Sequence, residues 1–254
     1  MVMLFLACNN PAKNNDPNQP DNNSSIASCK MQLLPGKTPL VAKQPVTLQF
    51  KPVGQPGNQL VALENVLQNK LHLIVTDNNL SYFKHLYTNI DSAGNYTINT
   101  SFPSGGAYLL IADYKALGLQ RQTDTFHVNV EGEAKNPIDL INTSMVSNTG
   151  GYEVQLLSKK LVAGSAGMLI MKISKDGKPV LPDILQPYLG EQSHMVVLNT
   201  ATKEYILVNS KSDDLSYWFM LNFPRAGSYR AWVEFKTADD LHVADFTLNV
   251  GSKQ

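Results

Sequence analysis

The chain has 254 residues, of which 43% are apolar and 17% are charged, and its formal net charge is zero. This length allows one large domain or two of ordinary size, each with a buried core. The neutral balance excludes the basic surface of a nucleic-acid-binding protein. With 14 prolines and 16 glycines, the composition favours β-structure with many turns over long helices.

The first eight residues, MVMLFLAC, are apolar but far too short to span a bilayer. They are typical of the end of a secretory signal, and Leu6-Ala7-Cys8 resembles a bacterial lipobox, whose cysteine is lipidated. The apolar run is short and has no positive residue before it, as expected if translation starts further upstream. We therefore predict that residues 1–8 are a partial signal peptide and that Cys8 carries a lipid anchor.

Residues 9–30 are rich in Asn, Pro and Ser and contain little that a core could bury. Such a composition predicts a disordered tether between the anchor and the first domain. Cys29, the second of the two cysteines, lies near the end of this tether and outside the predicted folded part. A disulfide between Cys8 and Cys29 is the alternative if Cys8 stays free, and two cysteines alone cannot form a zinc site.

The two halves of the chain repeat one pattern in the same order and at nearly constant spacing, which indicates an internal duplication. The matching pairs are VTLQF (46–50) with LIMKI (169–173), LHLIV (71–75) with SHMVV (193–197), FPSGGAYLLIADY (102–114) with FPRAGSYRAWVEF (223–235), and FHVNV (126–130) with FTLNV (246–250). Each copy has the size of an ordinary domain. We predict a first domain over 31–131, a linker over 132–150 and a second domain over 151–251.

Apolar and polar residues alternate along each copy, which is the pattern of half-buried strands. About seven short strands per copy predict an all-β fold of two tandem immunoglobulin-like β-sandwiches, with a barrel as the alternative. The Pro-x-x-Gly-x-Tyr turns favour a sandwich, because they are typical of a tyrosine corner. The residues predicted to face the core of the second copy are Tyr229, Ala231, Val233 and Phe235, with Arg230, Trp232 and Glu234 on the opposite face.

The segments LHLIVTDNNLSYFKHLY (71–87) and FPSGGAYLLIADY resemble HEKxLHLIVVSxDLSxFxHxHP and FPxxGxYxLxADY, a pattern of exported bacterial proteins similar to YtkA-like domains. In the second half, LQPYLG (185–190), His194 and FPRAGSYRAWVEF resemble their partner domain. The resemblance implies an immunoglobulin-like fold, export, and a connection with copper handling. Other histidines of the pattern fall here on Leu67, Tyr87, Leu207 and Asn209.

The candidate metal ligands are His72 and His85. A two-residue turn at Asn78-Asn79 would place the two histidines opposite each other, with their Cβ atoms about 5 Å apart. Together with Tyr87 they would make at best a weak copper or nickel site, since zinc sites normally use three or four ligands. One alternative is that both rings hydrogen-bond within a partly exposed sheet. The other is a longer loop or a register slip of one residue, which would put the rings on opposite faces.

His194, beside Met195, is a third candidate ligand, because thioethers suit copper(I). Methionines at alternating strand positions are more often core residues, and we interpret Met171 in this way. His127 and His242 have no cluster around them and are predicted to be surface residues of strands.

The sequence contains no nucleophile-elbow, zinc-protease or phosphate-loop motif, so we expect no enzyme activity and no cofactor other than copper. The leading hypothesis is an exported protein of the bacterial cell envelope, held to the membrane through Cys8. It would bind an envelope protein or surface component, and no nucleic acid. The alternative is a periplasmic copper-binding protein that uses His72 and His85.

Overall fold

The computed structural model describes residues 27–36, 38–135, 144–213, 216–238 and 240–253. Cys8 and nearly all of the predicted tether lie outside these residues. The strands of the first domain are β1 Ser28–Leu33, β2 Val46–Gln55, β3 Leu63–Glu64, β4 Leu71–Asp77, β5 Phe83–Tyr87, β6 Asn89–Ile90, β7 Tyr96–Thr100, β8 Gly106–Ala116 and β9 Arg121–Val130.

The second domain repeats this arrangement, and a 3-10 turn at Pro182–Ile184 precedes its fifth strand. No helix within the described residues is long and apolar enough to cross a membrane. Its strands are β10 Val146–Thr149, β11 Tyr152–Ser158, β12 Ala166–Lys175, β13 Lys178–Pro179, β14 Ser193–Asn199, β15 Tyr205–Asn209, β16 Lys211–Ser212, β17 Tyr217–Asn222, β18 Gly227–Thr237 and β19 Asp240–Val250.

Each domain consists of two antiparallel sheets. In the first domain the outer sheet has the order β1-β2-β7-β6, and the inner sheet has the order β3-β8-β4-β5 with β9 also paired to β8. In the second domain the outer sheet is β10-β11-β12-β17-β16, with β13 beside β12, and the inner sheet is β15-β14-β18-β19. The prediction of two tandem immunoglobulin-like sandwiches is confirmed.

Alternation along β8 and β18 directs one set of side chains into the core of each sandwich. The predicted core residues Tyr229, Ala231, Val233 and Phe235 are all fully buried. Both tyrosine corners are present: Tyr108 donates its hydroxyl hydrogen to the carbonyl of Ser104 (3.0 Å), and Tyr229 donates to that of Arg225 (2.8 Å). The hydroxyl of each ring therefore satisfies a backbone acceptor while the ring fills the core.

The inner sheets of the two domains pack against each other, so the chain forms four sheet layers in succession. The apolar centre of this contact contains Ile74, Leu80, Leu109 and Ile111 from the first domain and Val196, Leu198 and Trp232 from the second. Phe83 stacks on Trp232 with ring centroids 4.6 Å apart. This packing explains why every residue of β14 is buried, although a strand with one solvated face would alternate.

Several sequence-based boundaries differ from the structure. Cys29 lies in β1 and is 3% exposed, so it belongs to the first core rather than to a tether. Burial raises the pKa of its thiol. Strand β10 lies inside the predicted linker, where it pairs with β11 of the second domain. The two domains contain nine and ten strands in their described parts, because several strands are only two residues long.

The repeat alignment of the second strand also needs correction. Met168 pairs with Met220 where the first domain pairs Thr47 with Asn99, so VTLQF corresponds to GMLIM, two residues earlier than predicted.

His242 was predicted at the surface, but it is 7% exposed, and its Nε2 lies 2.7 Å from the Thr237 hydroxyl.

Candidate functional site

The two candidate histidines lie on the face of the first inner sheet that contacts the second domain. His72 is opposite Tyr87, and His85 is opposite Ile74. The predicted pairing of His72 directly opposite His85 is therefore wrong by two residues. A shift of two keeps both side chains on one face, so the rings still meet, with His72 Nδ1 3.0 Å from His85 Nε2.

The register differs because the loop between the strands is longer than a two-residue turn. The carboxylate of Asp77 accepts hydrogen bonds from the backbone N–H groups of Ser81 (2.6 Å) and Tyr82 (3.0 Å). Leu80 adopts a positive φ of 58° within the loop. The first pair beyond the loop is Thr76 with Phe83. An aspartate that ties its own loop in this way favours the longer connection.

A continuous chain of hydrogen bonds runs through the histidine pair and crosses between the domains. His72 Nε2 lies 2.6 Å from the carbonyl oxygen of Val66, which can only accept. His85 Nδ1 lies 2.6 Å from Glu234 Oε2 of the second domain. His72 therefore donates from Nε2 and accepts at Nδ1 from His85 Nε2. All four ring nitrogens are satisfied, and the proton between His85 and Glu234 can reside on either group.

Burial favours the neutral form of His72. Its side chain is inaccessible to solvent, and desolvation lowers its pKa to about 4. Glu234 is also inaccessible, with 1% exposure. A neutral His72 fits the hydrogen-bond pattern, because only a ring with one unprotonated nitrogen can accept from His85. The hydrogen bond between His85 and Glu234 thus joins the two domains through a desolvated, directional contact.

His194 lies near this chain but does not join it. Its Nε2 is 2.5 Å from the carbonyl oxygen of Tyr188, and its Nδ1 is 3.0 Å from the side-chain oxygen of Asn209. Burial lowers its pKa. The hydroxyl of Tyr188 contacts that of Tyr87, which makes a second polar bridge between the domains. Desolvation raises the pKa of both tyrosines, so each remains a neutral donor and acceptor.

A second buried carboxylate contributes to the same contact. Asp113 is fully buried, pairs with the guanidinium of Arg121, and accepts a hydrogen bond of 2.8 Å from the Tyr205 hydroxyl of the second domain. Asp113 occupies in β8 the position that Glu234 occupies in β18. The sequence analysis missed both carboxylates as site residues. An acidic residue inside an apolar strand, as in AWVEF, was the available signal.

The geometry of the pair limits what it could coordinate. No group of three or more His, Cys, Asp or Glu within the described ranges is arranged to hold a metal ion. If a metal replaced the proton between the facing nitrogens at about 2.05 Å from each, the N–metal–N angle would be about 95°. The outer nitrogens of His72 and His85 already bond a carbonyl and a carboxylate, as those of metal-bound histidines usually do. The pair fits two adjacent positions of a tetragonal site and no more.

Another candidate site is the solvent-facing side of the outer sheet of the second domain, which we call the apolar face. Its residues occupy adjacent rows: Leu157 is opposite Ile170, Ile170 is opposite Trp218, and Met168 is opposite Met220. Met168 and Met220 are 47% and 49% exposed. Sequence analysis missed this face, although the apolar runs MLIM and YWFML depart from strict alternation.

Solved structures similar to this chain have low sequence identity. Escherichia coli α2-macroglobulin is 11% identical with a TM-score of 0.31; the alignment covers 88% of this chain and 16% of that protein. The E. coli adhesin FdeC is 13% identical with a TM-score of 0.29, covering 89% and 65%. Invasin, a bacterial integrin-binding protein, is 13% identical with a TM-score of 0.26, covering 89% and 40%.

This chain thus spans less than two thirds of the length of each of these proteins, and their functions do not transfer to it. Among curated proteins, none matches the sequence. One family does match, once over residues 25–132 and again over residues 147–252, in agreement with the duplication. The chain belongs to the family described as Domain of unknown function (DUF8832).

Proposed function

We propose that this protein is a non-catalytic binding module of the bacterial cell envelope, attached to the membrane by a lipid at Cys8, and that the apolar face is its binding surface. The apolar face carries the proposal. Large contiguous apolar patches on a protein surface mark interaction sites. Leu34, opposite Gln49 in the first domain, corresponds to Leu157 and is also apolar. The other four positions are occupied in the first domain by Thr47, Gln49, Thr97 and Asn99. The fold therefore does not require apolar residues there.

The buried histidines and carboxylates support a structural role for the other candidate site. His72, His85 and Glu234 are bonded to one another or to backbone, and all three are buried between two packed sheets. We infer that they hold the two domains in one fixed arrangement. A fixed arrangement keeps the apolar face in a constant orientation relative to the first domain.

Photo-crosslinking in cells tests the binding surface. A photoreactive amino acid replaces Met220 in one strain and Asn99, its counterpart in the first domain, in the matched control. We expect adducts with a cellular component from position 220 and none from position 99. Equal yields from the two positions would contradict a specific surface.

The lipid anchor has its own test. The full-length gene, with any upstream start restored, is expected to incorporate labelled palmitate, and Cys8→Ala is expected to abolish the label. Cys29→Ala serves as the control, because Cys29 is buried in β1 and cannot carry a lipid. Retention of the label in Cys8→Ala would refute the anchor.

Copper binding is the second candidate function, and one observation favours it: the facing nitrogens of His72 and His85 are 3.0 Å apart while their outer nitrogens are held by acceptors. Titration of the purified protein with copper(I) and copper(II) tests this candidate. Micromolar or tighter binding that is lost in His72→Ala and kept in His127→Ala would support it. The absence of binding, with an unchanged melting curve, would remove it.

A further inference from the structure

We propose that the occupant of the apolar face is the surface of a bilayer that contains anionic lipids. This inference rests on the proposed binding function and names its partner class. It concerns a contact made by the second domain itself, in addition to any lipid on Cys8.

The apolar face consists of two adjacent rows of side chains on one surface of the sheet. Three neighbouring strands, β11, β12 and β17, contribute to it in register. With strands about 4.8 Å apart and residues on one face about 6.7 Å apart, it extends roughly 10 Å by 7 Å between its outermost Cα positions. Its five side chains present one polar atom, the indole N–H of Trp218. Contacts without directional hydrogen bonds suit a fluid boundary between headgroups and hydrocarbon, where tryptophan is enriched.

Three lysines lie beside the apolar face. Lys211 is paired opposite Trp218, and Lys172 follows Ile170 by two residues, so both lie on the same side of the sheet. Lys159 follows Leu157 just beyond the end of β11, and all three lysines are exposed. Long lysine stems can lie along apolar surface while the ammonium groups reach outward. These lysines are complementary to anionic headgroups, which attract basic side chains near the bilayer surface.

Two acidic residues, Glu153 and Asp213, lie on the same side of the sheet. Glu153 is four residues from Leu157 along β11. Asp213 follows β16, and its carboxylate accepts hydrogen bonds from the backbone and hydroxyl of Ser216. Asp213 lies in the same row as Lys172, one row beyond Ile170 and Trp218. Three lysines against this one acid leave the charge beside the apolar residues positive.

A second copy of the chain is a weaker occupant. Two apolar faces packed about a two-fold axis would place lysines of one copy against lysines of the other, and like charges in a contact are unfavourable. A protein partner would gain little specificity from five side chains with one hydrogen-bond donor among them. The apolar centre, its lack of hydrogen-bonding groups and the net positive charge beside it together favour a lipid surface.

The first domain provides the substitutions for the test. Met168→Thr with Met220→Asn copies the Thr47–Asn99 pair that the same fold carries in the first domain. These residues are about half exposed, so the double variant should fold with an unchanged melting temperature. The matched control is Ile90→Asn, which removes an apolar residue that is 51% exposed in the first domain.

The experiment measures co-sedimentation of the full chain with vesicles. Cys8→Ser is present in every sample, so no acyl chain contributes, and the N-terminal apolar residues are common to all variants. The vesicles contain equal parts of phosphatidylglycerol and phosphatidylcholine, with pure phosphatidylcholine as the neutral comparison. We expect partitioning onto the anionic vesicles that falls about tenfold or more in Met168→Thr/Met220→Asn and is unchanged in Ile90→Asn.

Charge provides a second readout. Lys172→Gln with Lys211→Gln should weaken binding to the anionic vesicles and leave the weak binding to neutral vesicles unchanged. No binding by the folded parent, or equal binding by the parent and the methionine double variant, would overturn the lipid assignment. If the crosslinks from position 220 then lead to a protein, the proposed binding function stands with a protein partner. If those crosslinks are also absent, both proposals fail.

Discussion

Glu234 of the second domain lies 2.6 Å from His85 of the first, and the two side chains are separated by 149 positions in sequence and almost completely hidden from solvent. His85 in turn contacts His72, whose other ring nitrogen bonds the carbonyl of Val66. A polar contact of this kind contributes orientation as well as energy, since apolar packing alone tolerates sliding.

Removal of either Glu234 or His85 should destabilise the protein strongly. We expect Glu234→Leu to lower the free energy of unfolding by about 3 to 5 kcal/mol, because it leaves the buried His85 without its hydrogen-bond partner. His85→Leu copies Leu207, the corresponding residue of the second domain. The double variant should lose clearly less than the sum of the single losses. Denaturant unfolding measures all four proteins, and additive losses would contradict the coupling.

Acid should weaken the fold through His72. Its pKa is about 4 in the folded protein, against 6.5 for the unperturbed side chain. Between these values the unfolded chain binds more protons, so stability is fully present above pH 6.5 and declines as the pH falls towards 4. The expected loss is about 3 kcal/mol. In His72→Gln, the dependence of melting temperature on pH should become shallower over this window.

The exposed His127 provides the control for that titration. His127→Gln should keep the pH dependence of the parent, since this side chain is exposed and makes no part of the domain contact. An equal slope in His72→Gln and the parent would show that His72 does not titrate in the predicted way.

The apolar part of the domain contact should determine whether the chain unfolds as one unit. Trp232→Ala removes the ring that stacks on Phe83 and should cost about 3 to 5 kcal/mol. Because this loss falls on the contact between domains, we expect calorimetry to show two separate transitions in place of one. Leu117→Ala, at a residue that is 61% exposed, should leave a single transition. A single transition in Trp232→Ala would contradict a contact that couples the domains.

The tyrosine corners should contribute similar amounts in the two domains. Tyr229→Phe removes only the hydroxyl that donates to Arg225, and we expect a loss of about 1 kcal/mol. Tyr108→Phe should cost a similar amount, although Ser104 offers both its carbonyl and its hydroxyl. Urea unfolding of the two variants measures these losses. A cost near zero in both would show that water replaces the corner bond.

The sequence predicted the features that local chemistry determines. Alternation in AYLLIADY and SYRAWVEF identified the core faces, and the Pro-x-x-Gly-x-Tyr turns predicted the corners. Docking of one domain on the other was not predictable, because Ile74, Leu109 and Trp232 satisfy the same alternation whether water or a second sheet covers them. The role of Glu234 depends on that docking and was missed with it.

The histidine pair was predicted to meet, and it does, but for a different reason. The expected turn at Asn78-Asn79 gave the wrong pairing, because the carboxylate of Asp77 organises a longer loop. The error of two residues preserved the face. An error of one residue would have placed His72 and His85 on opposite faces of the sheet. The predicted contact between the rings therefore held because the shift was an even number of residues, although the predicted loop was wrong.

The face-to-face arrangement of two similar halves has a consequence for how the contact can specialise. In a homodimer built about a two-fold axis, every substitution appears twice, so an acid placed near the axis meets its own copy. Covalent fusion removes that constraint. Glu234 can face a histidine while Asp113 faces Tyr205, and each half can carry a different partner for the same position. The same freedom lets the outer sheet of the first domain stay polar while that of the second domain becomes apolar.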